Sequence, residues 1–124
     1  MFHVSDLNSK YQYDFSITPF SNTVLSENLN KKDPFQVLAF IKKIIIVNEW
    51  PWDTLTYYNC KRIEFLIQEK LPQGITNKKE IYRWLVNNWR KYYFPGSHNV
   101  SLNKTQTFSV NQFKNPKRFG KHEP

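Results

Sequence analysis

Lys79, Arg83, Asn87 and Arg90 follow one another at spacings of four, four and three. On a 3.6-residue helical period that spacing brings all four to one face. Cations fixed in such a register can each neutralise a phosphate, and their spacing resembles that of successive phosphates on a nucleic-acid strand. Lys91, Tyr92 and Tyr93 follow directly. Tyr82, Trp89 and Tyr93 are rings near the stripe that could stack on bases or contact sugars. The same pattern also describes the solvated side of an ordinary amphipathic helix, and on that reading Trp84 and Trp89 are core residues. The candidate nucleic-acid-binding set is therefore Lys79, Arg83, Asn87, Arg90, Lys91, Tyr92 and Tyr93.

Catalytic chemistry has far thinner support. His3, His98 and His122 are scattered, and no pair has metal-ligand spacing. His98 lies beside a Pro-Gly turn, where a small ribonuclease could place a general base, but an exposed loop histidine accounts for it far better. Gln68-Glu69-Lys70 is only faintly similar to the Glu-x-Lys half of a metal-dependent nuclease core, and it falls on a helix instead of the strand such a core uses, so it is discounted. Cys60 has no neighbouring histidine and reads as a small buried hydrophobe. No enzymatic activity, cofactor or metal is expected.

Three helices must position the stripe. Asp33-Pro34 starts the first, with Asp as N-cap and Pro at the first helical position. Phe35, Leu38, Ile41 and Ile45, with Ala39 and Ile44, give an apolar stripe to about Val47, and Pro51 stops it. Asp53 caps a short turn over 54–58, and Asn59 caps a second helix over 60–70 that buries Ile63, Leu66, Ile67 and Leu71. Asn77 and Glu80 form a capping box for the third helix, 77–93, with Ile81, Trp84, Leu85, Asn88 and Tyr92 facing inward. Beyond Phe94-Pro95-Gly96, Val100 and Leu102 and then Phe108 and Val110 alternate with polar residues, predicting a β-hairpin. Residues 1–32 read as an irregular N-terminal arm with a short strand near 11–17, 33–110 as one helical domain, and 111–124 as a flexible basic tail. The class expected is α+β, mostly α.

Charge sharpens the functional reading. The 124 residues carry 18 Lys and Arg against 10 Asp and Glu, a net charge of +8. Residues 1–60 hold five basic and six acidic groups, whereas residues 61–124 hold 13 basic groups and only Glu64, Glu69, Glu80 and Glu123. So uneven a split points to a localised surface for a polyanion. Aromatic residues at 17% of the chain argue against general disorder. One cysteine excludes an internal disulfide framework and suits a reducing compartment. The longest apolar run, Ile44-Ile45-Ile46-Val47, is too short to span a membrane, and the N-terminus has no secretory pattern, so a cytoplasmic location is expected.

The run Trp89-Arg90-Lys91-Tyr92-Tyr93, then Pro95-Gly96, then Val100-x-Leu102, resembles the end of the ProQ/FinO domain. That family has a Trp-Arg-Tyr helix start, a Pro-Gly turn and a Val-x-Leu strand. Val37-Leu38-Ala39-Phe40-Ile41 is similar to its first helix, and Ile75-Thr76-Asn77-Lys78-Lys79 to the Leu-Ser-Lys that opens its third. The likeness covers roughly Phe35 to Leu102. Phe94 stands where the family has Lys before Pro-Gly, Asn99 where it has Arg, and Lys91 where it has Tyr; the helix ahead of Trp89 is about a turn out of register. The resemblance implies a small RNA chaperone that grips the base of a stem-loop and its single-stranded 3′ tail, with Arg90, Lys91 and Tyr92 on the helix and Lys79 nearby.

The expected function is non-catalytic RNA binding through a basic helix face, with RNA preferred over DNA. Two other readings fit the same residues. Helices 60–70 and 77–93 could form a DNA-binding helix-turn-helix with the hairpin as a wing, although the turn is long for it. A phage or plasmid inhibitor could instead set the basic face against an acidic protein.

Overall fold

A computed structural model describes residues 1–16 and 26–92. Each of its three α-helices starts where a polar side chain meets backbone N–H groups that have no partner inside the helix. Asp33 accepts from the N–H groups of Phe35 and Gln36 and opens α1, Pro34–Asn48, with Pro34 at its first position. Asp53 accepts from Thr56 and opens α2, Thr54–Phe65. Asn77 accepts from Lys79 and Glu80 and opens α3, Lys78–Asn88. Glu49 terminates α1 in a left-handed conformation at φ 57°, with Pro51 two residues on.

α2 is longer than its sequence suggested. The turn expected over 54–58 and the helix expected from residue 60 are one continuous helix, and Asn59 lies buried inside it instead of capping a new one. Its axis continues through a π-helical turn, Leu66–Lys70, closed by the Leu71 N–H donating to the Leu66 carbonyl at 2.8 Å.

The α+β expectation is corrected. Among the described residues there are helices and no strands, and the extended pairing is one isolated antiparallel bridge between Asn28 and Asn77. Over its described part, the strand expected near 11–17 is replaced by a 3-10 turn at Ser9–Tyr11 and by Gln12 at φ 57°, a left-handed backbone that interrupts any extended run. The hairpin expected over 100–110 and the tail 111–124 lie outside the described residues.

One core joins the helices to the N-terminal segment. Val37, Phe40, Ile41, Ile44 and Ile45 of α1 meet Cys60, Ile63, Leu66 and Ile67, and Ile81, Tyr82 and Leu85 of α3. The α1 stripe is rotated from the expected one, since Phe35, Leu38 and Ala39 are only half-buried while Val37 and Phe40 point inward. Phe2, Leu7 and Tyr13 add three buried side chains from the first 16 residues. Burial of each such ring or branched chain is worth roughly 1.5–3 kcal/mol. Polar contacts hold the same segment: a 3-10 turn at Val4–Asp6 closes with the His3 N–H donating to Asp6 Oδ2 at 2.7 Å, and Lys61 Nζ donates to the Asp6 carbonyl at 2.5 Å.

Glu64 anchors the docked segment. Its Oε2 accepts from the Asn8 N–H and from the Tyr13 hydroxyl, each at 2.7 Å, and Lys61 Nζ stands 4.0 Å from Oε1. Burial pushes the Glu64 carboxyl above its ordinary value, against the opposing pull of these donors. Glu69 lies at the surface and accepts from Tyr11 at 2.6 Å while pairing with Lys10 at 2.9 Å. Those two donors hold its carboxyl below the ordinary range.

Candidate nucleic-acid interface

α3 owes its orientation to a buried stripe of Ile81, Tyr82, Leu85 and Trp89. The opposite side carries Lys79, Arg83, Asn87 and Arg90, all exposed, as their spacing requires. From Lys79 to Asn87 the helix rises about 12 Å. Among the described residues no ion pair engages Lys79, Arg90 or Lys91. Arg90 and Lys91 lie just beyond the last helical turn, where the Lys91 N–H donates to the Asn88 carbonyl at 3.1 Å. The helix is therefore shorter than the expected 77–93. Tyr93 lies outside the described residues.

The basic surface continues onto neighbouring elements. Lys78 is half-buried beside Lys43 of α1, and burial together with that like charge depresses its ammonium below the ordinary lysine value. Lys70, at the end of the π-turn, holds its ammonium 5.4 Å from the centre of the Tyr92 ring, and Lys91 stands 5.7 Å from it. Tyr92 itself stacks on Trp84, with ring centres 6.2 Å apart and planes 23° from parallel. Both rings are half-buried and keep part of their surface in solvent. Stacked rings flanked by ammonium groups suit a base and its phosphate.

Two aromatic assignments change. Tyr82, a candidate for base stacking, is fully buried; its hydroxyl exchanges hydrogen bonds with the Asn48 carboxamide at 3.0 and 3.2 Å. It joins α3 to α1 and cannot reach a ligand. Trp84, read as core, sits at the rim because Tyr82 and Leu85 occupy the inward positions. Trp89 keeps its core place, 6.3 Å from the Trp50 ring.

Arg62 was absent from the sequence-derived set. It lies 6% exposed in α2, its guanidinium 4.5 Å over the Trp89 ring, and Nη2 donates to the Trp89 carbonyl at 2.5 Å. No carboxylate among the described residues pairs with it. The cation instead meets the carbonyl end of α3, where the helix dipole favours positive charge. Burial, then the nearby Arg90 cation, pulls its pKa below the ordinary arginine value. Arg62 thus engages the backbone at the C-terminal end of α3, close to Arg90. Only a long-range contact reveals this role, because 27 residues separate it from Trp89.

Among the described residues no His, Cys, Asp and Glu cluster could hold a metal. Cys60 is buried and unbridged, with its thiol pushed up to about 12 by burial. His98 and His122 lie outside the described residues. No described helix is long and apolar enough to cross a membrane. Comparison with protein-family models, with curated proteins and with solved structures finds no match in any of the three.

Proposed function

We propose that this chain binds RNA without catalysis, through the exposed face of α3. The observation that carries the reading is the solvent-facing row Lys79, Arg83, Asn87 and Arg90, continued by Lys91 and set beside the half-exposed Trp84–Tyr92 stack. Phosphate contacts supply most of the affinity and the stack adds preference for accessible bases. RNA is favoured over duplex DNA because a stacking platform needs bases that are unpaired, and duplex DNA keeps them stacked. The resemblance of Trp89-Arg90-Lys91-Tyr92 to the ProQ/FinO domain supports the same reading. Its Pro95-Gly96 and Val100-x-Leu102 parts lie outside the described residues.

The test is a binding assay on the full chain with an RNA hairpin bearing a single-stranded tail, duplex DNA and single strands. RNA is expected to bind most tightly, and the double variant Arg83→Ala/Arg90→Ala to weaken it at least about tenfold, as loss of two phosphate contacts requires. Preferred binding of duplex DNA would favour the helix-turn-helix alternative. A partner protein retained after nuclease treatment, with no RNA affinity, would favour an inhibitor.

A further inference from the structure

A groove of about 400 Å³ opens between the segment carrying Leu29, Asn30, Lys31 and Lys32, the π-helical turn and the loop before α3. Its size falls within the range of small-ligand sites, about 300–1,000 Å³. Leu29 and the half-buried Ile75 give it an apolar floor, and Gln68 and Gln73 both line it. Among the described residues no carboxylate lines it, whereas Lys31 and Lys32 both do.

The walls are already fixed. Leu29 N–H donates to the Thr76 carbonyl at 2.8 Å, and Gln68 Nε2 donates to the Lys31 carbonyl at 2.9 Å and to the Tyr13 hydroxyl at 3.2 Å. Among the described residues the Gln68 amide oxygen accepts no hydrogen bond and the Gln73 carboxamide makes none. Lys31 Nζ spends one donor on the Ile67 carbonyl at 3.3 Å, and Lys32 Nζ one on the Tyr11 carbonyl at 2.9 Å. An ammonium has three, so each keeps two.

We propose that this groove is a nucleotide site, holding one unpaired base over Leu29 and Ile75 with its phosphate against Lys31 and Lys32. The proposal deepens the RNA-binding reading and rests on it for its biological ligand. A planar base matches the chemistry: its faces are apolar enough for the floor, and its edge carries mixed donors and acceptors that carboxamides complement. The lysines supply the charge for a phosphate, and the missing carboxylates remove a repulsion that would oppose it. The π-helical turn that presents Gln68 is a distortion of the kind found at functional sites.

The groove and the α3 face are separable by experiment. The full chain is titrated by NMR with adenosine 5′-monophosphate, cytidine 5′-monophosphate, adenosine and inorganic phosphate. The expected result is monophosphate binding that shifts the amide signals of Leu29, Lys31, Gln73 and Ile75, with adenosine and phosphate each about tenfold weaker or more. Gln73→Glu, at an exposed position, should weaken monophosphate binding about fivefold or more, by removing an amide donor from the base edge and adding a negative charge to the groove. Arg83→Ala/Arg90→Ala should leave it unchanged. Monophosphates that fail to bind at millimolar concentration, or whose shifts fall on α3 and vanish in the arginine variant, overturn the proposal. RNA binding that depends on Arg83 and Arg90 would then still stand. Absence of RNA binding together with monophosphate binding in the groove would overturn the α3 reading alone.

Discussion

Glu64 and Arg62 show how single buried charges are held by different means. Glu64 has two hydrogen-bond donors on one oxygen and an ammonium beside the other. Its carboxyl is raised in the folded chain, so between its ordinary value of 4.5 and the folded value the native state binds more protons than the unfolded one. Stability therefore falls as pH rises through that window and levels off above it. Glu64→Gln keeps an oxygen for Asn8 and Tyr13 and removes the charge. Urea unfolding should show this variant losing less stability than the native chain between pH 4.5 and pH 7.5. Glu64→Leu strands both donors and should cost about 2–4 kcal/mol at either pH. Arg62→Ala removes the cation at the α3 carbonyl end along with its packing on Trp89, and a loss of about 3 kcal/mol is expected by the same measurement. Neither role was legible from local sequence, because Asn8 and Tyr13 lie 56 and 51 residues from Glu64.

At the scale of elements, the signals that read correctly are the local ones. Asp33-Pro34, Asp53 and Asn77 were each identified as N-caps, and each accepts backbone N–H groups within three residues. The exposed side of α3 was legible for the same reason, since a spacing of three or four settles which residues share a face. What such spacing leaves open is how far the buried stripe is rotated. That depends on partners such as Asn48, which draws Tyr82 inward, and on the N-terminal segment, whose docking onto α2 no local pattern announced. Asn77→Ala should lower stability by about 1 kcal/mol, and Asn77→Asp should preserve it, as read by thermal unfolding. Phe2→Ala should cost about 3–5 kcal/mol, because its ring is fully buried under Tyr57; a loss below about 1 kcal/mol would contradict the docked arrangement.

Across the whole molecule, the net charge of +8 resolves into local surfaces with different duties. Some cations are engaged within the fold: Lys61 and Lys32 hold the N-terminal segment, and Arg62 closes α3. Lys79, Arg90 and Lys91 face solvent with no ion pair among the described residues, next to exposed Arg83. Composition alone could not separate these two populations, since burial depends on contacts between distant parts of the chain. The central claim concerns the second population. The most direct measurement is the salt dependence of RNA binding by the native chain and by Arg83→Ala/Arg90→Ala. Four phosphate contacts on a single strand predict a slope of log K against log salt of about −3. The double variant should bind more weakly and reduce that slope to about −1.4. An unchanged slope and affinity in the variant, or no RNA binding at low salt, would contradict the account.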